Sequence, residues 1–257
     1  MGCNHNLPDM RSLLTCLLLT LSMLLQAQEI PGFQGETISF ASSDGVQISA
    51  DLYMTDDRRA PFILLFHQAG YSRGEYRSIA PRLNDLGFNC MAIDQRSGDQ
   101  VNGVINETNR SARSLNKPVS YLDALPDLES AYLYVQLSIR PVKIILWGSS
   151  YSAALAFYLA SAHHDNIAGM LAFSPGSYFQ VDGKDLSVYA SRITCPVFVT
   201  SARDEEEQWK PIYLEVRTEK TSFLPEGEGR HGSSALWGDS AENFAYWKAV
   251  EAFLNQL

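Results

Sequence analysis

The chain is organised by continuous apolar runs, Phe62 to Phe66, Asn89 to Ile93, Val142 to Trp147, Ile167 to Phe173 and Pro196 to Thr200, with helix-like stretches between them. Alternate side chains of a strand point to opposite faces, so a run that is apolar throughout has no face suited to water. Both faces must be covered, and short strands separated by helices achieve this as a parallel sheet with helices on each side. The sequence therefore predicts an α/β fold. It opens with a hairpin of different character. Ile38 and Phe40 alternate with polar residues, Asp44-Gly45 forms the turn, and Val46, Ile48, Ala50 and Leu52 alternate back, the pattern of a half-exposed antiparallel pair.

The intervening helices carry their own signals. Ser72 with Glu75 three residues on reads as a helix start, with Tyr76, Ile79, Leu83 and Leu86 as the apolar face, a kink at Pro81 and a stop at Gly87. Further helices are expected from about Tyr121 to Leu137, Tyr151 to Ala162, Glu206 to Leu214 and Ala241 to Leu254, the last capped by Asp239 with Glu242. One connection, from Asp94 to Tyr121, is polar and lacks an apolar period; a connection of this length is expected to border the substrate entrance. The stretch from Ser174 to Arg192 is too short for a lid domain.

Residues 1–28 are set apart. Arg11 precedes the apolar stretch Ser12 to Leu25, and Gln26-Ala27-Gln28 follows with a small residue for cleavage, the order of a secretory signal. The apolar stretch is short for a membrane span. A lipid anchor on Cys16 is disfavoured, because that Cys lies inside the apolar stretch. The expectation is a signal peptide over 1–28, a single domain over 29–257, secretion or export to a periplasm, and no membrane span in the mature chain. The formal net charge of −9 is unchanged by losing Asp9 and Arg11 together. An acidic chain without a basic stripe is a poor nucleic-acid binder.

The chemistry is carried by Trp147-Gly148-Ser149-Ser150-Tyr151-Ser152-Ala153, placed between an apolar strand and an alanine-rich helix. A G-x-S-x-small turn between strand and helix strains its central Ser and projects the hydroxyl from the sheet edge, beneath the amides of the next helix. Ser150 is the candidate nucleophile, with Ser152 where Gly is usual. A Ser hydroxyl needs a base, and that base needs an orienting acid. Of the five histidines, His5 lies in the signal, His67 ends a strand, and His163 and His164 end a helix where a favourable dipole contact explains them. His231 follows a plausible last strand, Val216 to Leu224, in a glycine-rich loop, and is the candidate base. The acid is sought after the strand ending at Thr200, where Asp204 comes first and is the candidate; Glu205 to Glu207 read as an acidic first helical turn. No His or second carboxylate cluster accompanies that run to suggest a metal.

The order Ser150, Asp204, His231 resembles that of the α/β-hydrolases, and the chain is similar from the hairpin to the last helix to the lidless dienelactone-hydrolase-like group. The resemblance implies a mostly parallel eight-stranded sheet and acyl transfer through a covalent acyl-enzyme. It implies an oxyanion hole from the Tyr151 amide and an amide of the His67-Gln68-Ala69-Gly70 turn, either Gln68 or Ala69. Gln68 stands where most relatives have Gly. It also implies a structural role for Arg96, and it puts Cys90 and Cys195 on non-neighbouring strands, where both are free and buried. The expected activity is cleavage of a small carboxylic ester with no metal or organic cofactor. The competing readings are an amidase or peptidase with the same triad and a non-catalytic binding module on the same scaffold.

Overall fold

The computed structural model describes residues 34–164 and 166–257, so the segment read as a signal peptide lies outside the described residues. The hairpin forms as strands β1 (Glu36–Ala41) and β2 (Gln47–Tyr53), paired antiparallel about Gly45, whose φ of 89° no side chain favours. The apolar runs become β3 (Phe62–Phe66), β4 (Asn89–Ile93), β7 (Ile144–Ser149), β8 (Ile167–Phe173) and β9 (Val197–Thr200), and β10 (Lys220–Phe223) closes the far edge. Every residue of β3, β4, β7 and β9 is buried, as runs without alternation require.

The eight strands lie in the order β1-β2-β4-β3-β7-β8-β9-β10. Pairing is parallel from β4 through β10 and antiparallel at β1–β2 and β2–β4. From β3 the chain moves outward to β4, then crosses back to place β7 on the other side of β3. The connections from β3 and β7 therefore leave in opposite directions, and the crevice at their carboxyl ends is where open α/β sheets place ligands. The loop beginning at His67 and the turn at Ser150 both stand there.

The long polar connection is more ordered than its composition suggests. It holds a small hairpin of β5 (Gln100–Val101) and β6 (Val104–Ile105) and a helix, Glu107–Ser114. Its order comes from buried polar contacts in place of apolar period. Fully buried Asp94 accepts from the Arg73 amide at 2.8 Å, Arg73 Nη1 at 2.6 Å and the Glu107 amide at 2.8 Å, while Arg73 Nε reaches Asp51 at 2.9 Å. Arg96, 1% exposed, binds Asp127 through Nη2 at 2.6 Å and Asp44 through Nη1 at 2.7 Å, joining the connection to the helix at Leu125–Tyr134 and to the first hairpin turn.

Three helices depart from the sequence reading. The segment begun by Ser72 splits into a 3₁₀ turn, Arg73–Tyr76, and a short helix, Ala80–Asp85, with Pro81 in its first turn, where its missing N–H costs nothing. The helix expected over 121–137 starts as a 3₁₀ turn and ends in a wide turn at Val135–Ile139, with Arg140 in the left-handed region. The last helix runs Asn243–Leu254; Asp239 pairs with Arg230 instead of capping it, and Glu242 accepts from the Gly227 and Gly229 amides at 2.8 and 2.9 Å. Cys90 on β4 and Cys195 just before β9 are free and buried, with β3, β7 and β8 between those strands.

Candidate active site

Ser150 sits at the tip of β7 with φ 60° and ψ −126°, the strained conformation its motif demands, and helix Tyr151–Ala162 starts at the next residue. Strand and helix pass so closely that a Cβ on Gly148 would lie 2.4 Å from Ala153 Cα, so only Gly fits. Ser152, where Gly is usual, is fully buried. Its hydroxyl accepts from the Ser149 amide at 2.9 Å and lies 2.8 Å from the Phe66 carbonyl, bridging β7 to β3. The substitution is thus a cross-strand tie that stiffens the turn.

The structure brings Glu205 to His231 where the sequence suggests Asp204. The Nδ1 of His231 is hydrogen-bonded to Glu205 Oε1, not to Asp204. After β9 the chain tightens into a 3₁₀ turn, Arg203–Glu205, in which successive side chains diverge; Asp204 faces solvent while Glu205 folds back over the sheet edge. Glu205 Oε2 accepts from Ser174 Oγ at 2.6 Å and from the Ala202 amide at 3.1 Å, so both oxygens are engaged. A Glu three residues into a helical turn commonly returns to the amide at the turn's start, as Glu205 does to Ala202, but that spacing does not say which carboxylate reaches His231.

Charge and burial are unequal across this pair. The imidazole is 42% exposed and the carboxylate 15%. Burial disfavours the charged imidazole, but the hydrogen bond and charge of Glu205 outweigh it and hold the His231 pKa above its ordinary value, with Glu75 and Asp204 adding to the field. Burial likewise pushes Glu205 upward, and the His231 and Ser174 hydrogen bonds more than offset it, leaving its pKa below the ordinary value.

The His231 loop is anchored from below. The Gly232 amide donates to Ser174 Oγ at 2.9 Å and the Ser233 amide to Ser149 Oγ at 2.8 Å, while Trp147 Nε1 reaches Ser233 Oγ at 2.9 Å. Ser149 Oγ in turn donates at 2.8 Å to Glu75, a carboxylate with no exposed surface. Glu75 does not cap the helical turn it belongs to. Its second oxygen accepts the Gln68 amide at 2.8 Å, so that amide is already committed. Burial drives the Glu75 pKa up to about 7 against the pull of these hydrogen bonds.

His67 is structural. It has no exposed surface; Nδ1 lies 2.8 Å from the Gln68 carbonyl, and Nε2 accepts from the Gln95 amide at 2.9 Å, which fixes the neutral tautomer. Burial lowers its pKa to about 4.

Aromatic residues that no sequence motif marks border Ser150 and its neighbour Tyr151. The Tyr178 hydroxyl lies 3.5 Å from Ser150 Oγ and donates to the Ser174 carbonyl at 2.8 Å. Tyr121 stacks on Tyr151 at 4.6 Å. A cleft of about 810 Å³ borders the His231–Glu205 pair and is lined by residues 202–205 and 227–231. Among the described residues, no group of three or more His, Cys, Asp or Glu is placed to hold a metal ion, and no helix is long and apolar enough to cross a membrane.

This sheet order and strand–turn–helix at Ser150 define the α/β-hydrolase fold. Solved structures share it. Dienelactone hydrolase from Anabaena variabilis matches with a TM-score of 0.67 at 13% identity, covering 87% of this chain and 98% of its own. An esterase from Pyrococcus furiosus matches at 0.64 and 16% identity, covering 87% and 93%. Est1E from Butyrivibrio proteoclasticus, bound to ferulic acid, matches at 0.66 and 12% identity, covering 85% and 98%. No protein-family model matches the chain, and no curated protein sequence does.

Proposed function

We propose that this protein is a serine hydrolase that cleaves carboxylic esters through an acyl-enzyme on Ser150. The observation that carries the reading is the His231–Glu205 hydrogen bond at the same sheet edge as a Ser held at φ 60°. An ordinary serine-rich loop needs neither the strain nor the oriented imidazole. The neighbours of the same fold include a dienelactone hydrolase and esterases, which accords with ester cleavage.

In this mechanism Ser150 Oγ attacks the ester carbonyl carbon as its proton passes to His231. The oxyanion is stabilised by the Tyr151 and Ala69 amides, a few kcal/mol per donor in sites of this kind. Collapse breaks the bond to the alcohol oxygen, which takes the proton from His231. Water then repeats the sequence and releases the acid. Glu205 holds the tautomer with the proton on Nδ1 and stabilises the imidazolium. The substrate is a small-molecule ester, and residues 1–28 direct export and are removed.

The test is labelling with a fluorophosphonate, followed by assays on p-nitrophenyl esters. Wild type is expected to label and turn over, and Ser150→Ala to do neither. A wild type that neither labels nor cleaves esters or small amides would return the chain to a binding role. Mass spectrometry of exported protein is expected to find the N-terminus near Gln28 or Glu29.

A further inference from the structure

Tyr121 is 41% exposed although one face of its ring is stacked on Tyr151 at 4.6 Å and 22°. Tyr151 is the residue after the nucleophile and is itself fully buried, with its phenol bound to Ser97. Phe179 tilts against Tyr121 at 6.5 Å. Tyr178, 37% exposed, brings its hydroxyl to 3.5 Å from Ser150 Oγ. Two separate connections, one ending at Tyr121 and one leaving β8, thus meet at Tyr121 and Phe179, while Tyr178, next to Phe179 in the chain, reaches the Ser150 hydroxyl. Scattered exposed tyrosines are ordinary, but rings already stacked in a row that leads to a strained Ser have a shape a ligand can extend.

The topology gives this row a direction. His231 is fixed by Glu205, which follows β9, on one side of β7. The Tyr151 phenol is tied to Ser97, which follows β4, on the other side. The imidazole must deliver its proton to the departing alcohol, so the alcohol lies on the β9 side. The acyl group then runs toward Tyr151 and the ring stacked on it, and the connection that leaves β8 on the alcohol side reaches back over Ser150 to set Phe179 against Tyr121.

We infer that Tyr121, Phe179 and Tyr178 form an acyl subsite for a flat aromatic ring, and that the substrate is an ester of an arylcarboxylic or arylalkanoic acid. The inference rests on the hydrolase reading above and names its substrate class. A planar acyl ring stacks on the open face of Tyr121 and meets Phe179 at an angle, the offset and tilted arrangements that aromatic pairs favour. An aliphatic chain gains only buried area there.

The experiment compares methyl esters that differ only in the acid: acetate, hexanoate and 3-phenylpropanoate, with benzyl acetate carrying the ring on the alcohol side. Wild type is expected to favour 3-phenylpropanoate over hexanoate by about tenfold in kcat/KM, mostly through KM, and to show no such preference for benzyl acetate. Tyr121→Ala and Tyr121→Leu are each expected to lower the phenylpropanoate-to-acetate ratio about tenfold, and Tyr121→Phe to restore it. Equal wild-type rates on phenylpropanoate and hexanoate, or an equal fall on all esters in both Tyr121 variants, overturns the subsite while leaving the hydrolase intact. A binding measurement separates the two readings. Ser150→Ala titrated calorimetrically with methyl 3-phenylpropanoate is expected to bind it, more weakly when Tyr121→Leu is added. If wild type cleaves no ester while this binding and its loss are seen, the hydrolase reading fails and the aromatic subsite stands.

Discussion

Ser149 donates its hydroxyl to Glu75 at 2.8 Å in the fully buried layer beneath Ser150, and the other Glu75 oxygen holds the Gln68 amide. One carboxylate thereby joins the loop after β3, the residue before Ser150 and, through Ser149, the His231 loop. His231, Tyr76 and Tyr151 are the titratable groups that sense it. Its pKa stands at about 7 in the folded chain against 4.5 as an ordinary Glu, so the folded state binds the extra proton between those values. Stability contributed by this group is present below about pH 4.5 and is lost as pH rises toward 7. Glu75→Gln, which cannot ionise, is expected to gain stability relative to wild type from pH 5 to pH 7.5, read as the difference in urea midpoints. A constant difference would show that Glu75 stays ionised in the folded protein.

Glu205 and Asp204 are expected to separate cleanly. Glu205→Gln leaves the side chain's shape but favours the wrong His231 tautomer, and its kcat is expected to fall roughly 10³- to 10⁴-fold. Asp204→Asn, at an exposed position, is expected to stay within about threefold of wild type, because an exposed charge acting through water is weakly felt. Ester turnover by the two variants, with matched circular dichroism, decides between them.

The pH profile follows from the same pair. His231 must be neutral to accept the Ser150 proton, and its pKa is raised. The acid limb of kcat/KM is therefore expected above pH 6.5, the ordinary His value, with activity increasing as pH rises through it. Removing the negative charge in Glu205→Gln takes away the main support for the imidazolium, so the limb is expected to move to lower pH in the residual activity.

Arg96 bears on stability, not chemistry. Its guanidinium is buried between Asp127, which has no exposed side-chain surface, and Asp44. Arg96→Ala strands the Asp127 charge in the interior and is expected to cost about 3–5 kcal/mol in denaturant unfolding. Arg96→Lys is expected to recover only part of this, since an ammonium cannot serve both carboxylates as a planar fork does.

The strands were legible because both of their faces are covered: Phe62–Phe66, Asn89–Ile93 and Ile167–Phe173 form with the bounds their apolar runs suggest. The turn at Ser150 was legible for a local reason too, since a Gly, a Ser and a small residue leave few alternatives where strand meets helix. The acid was not. Asp204 and Glu205 are neighbours in sequence, and only the pitch of a 3₁₀ turn decides which one points at His231. Glu75 was misread because Ser72 and Glu75 have the spacing of a capping box, whereas its real partners, Gln68 and Ser149, lie on different segments. The order of the 94–121 connection was hidden because ion pairs between residues as distant as Arg96 and Asp44 leave no periodic trace.

Cys90, on β4, and Cys195, just before β9, are well-separated buried thiols, and burial raises the pKa of each. The thiolate that would attack an oxidant or a mixed disulfide is therefore scarce as well as hidden. Among the described residues the fold gains nothing from sulfur chemistry. It is expected to assemble in a reducing cell interior as readily as outside it, and to keep its melting temperature when a strong reductant is added, so recombinant production needs no disulfide-forming host.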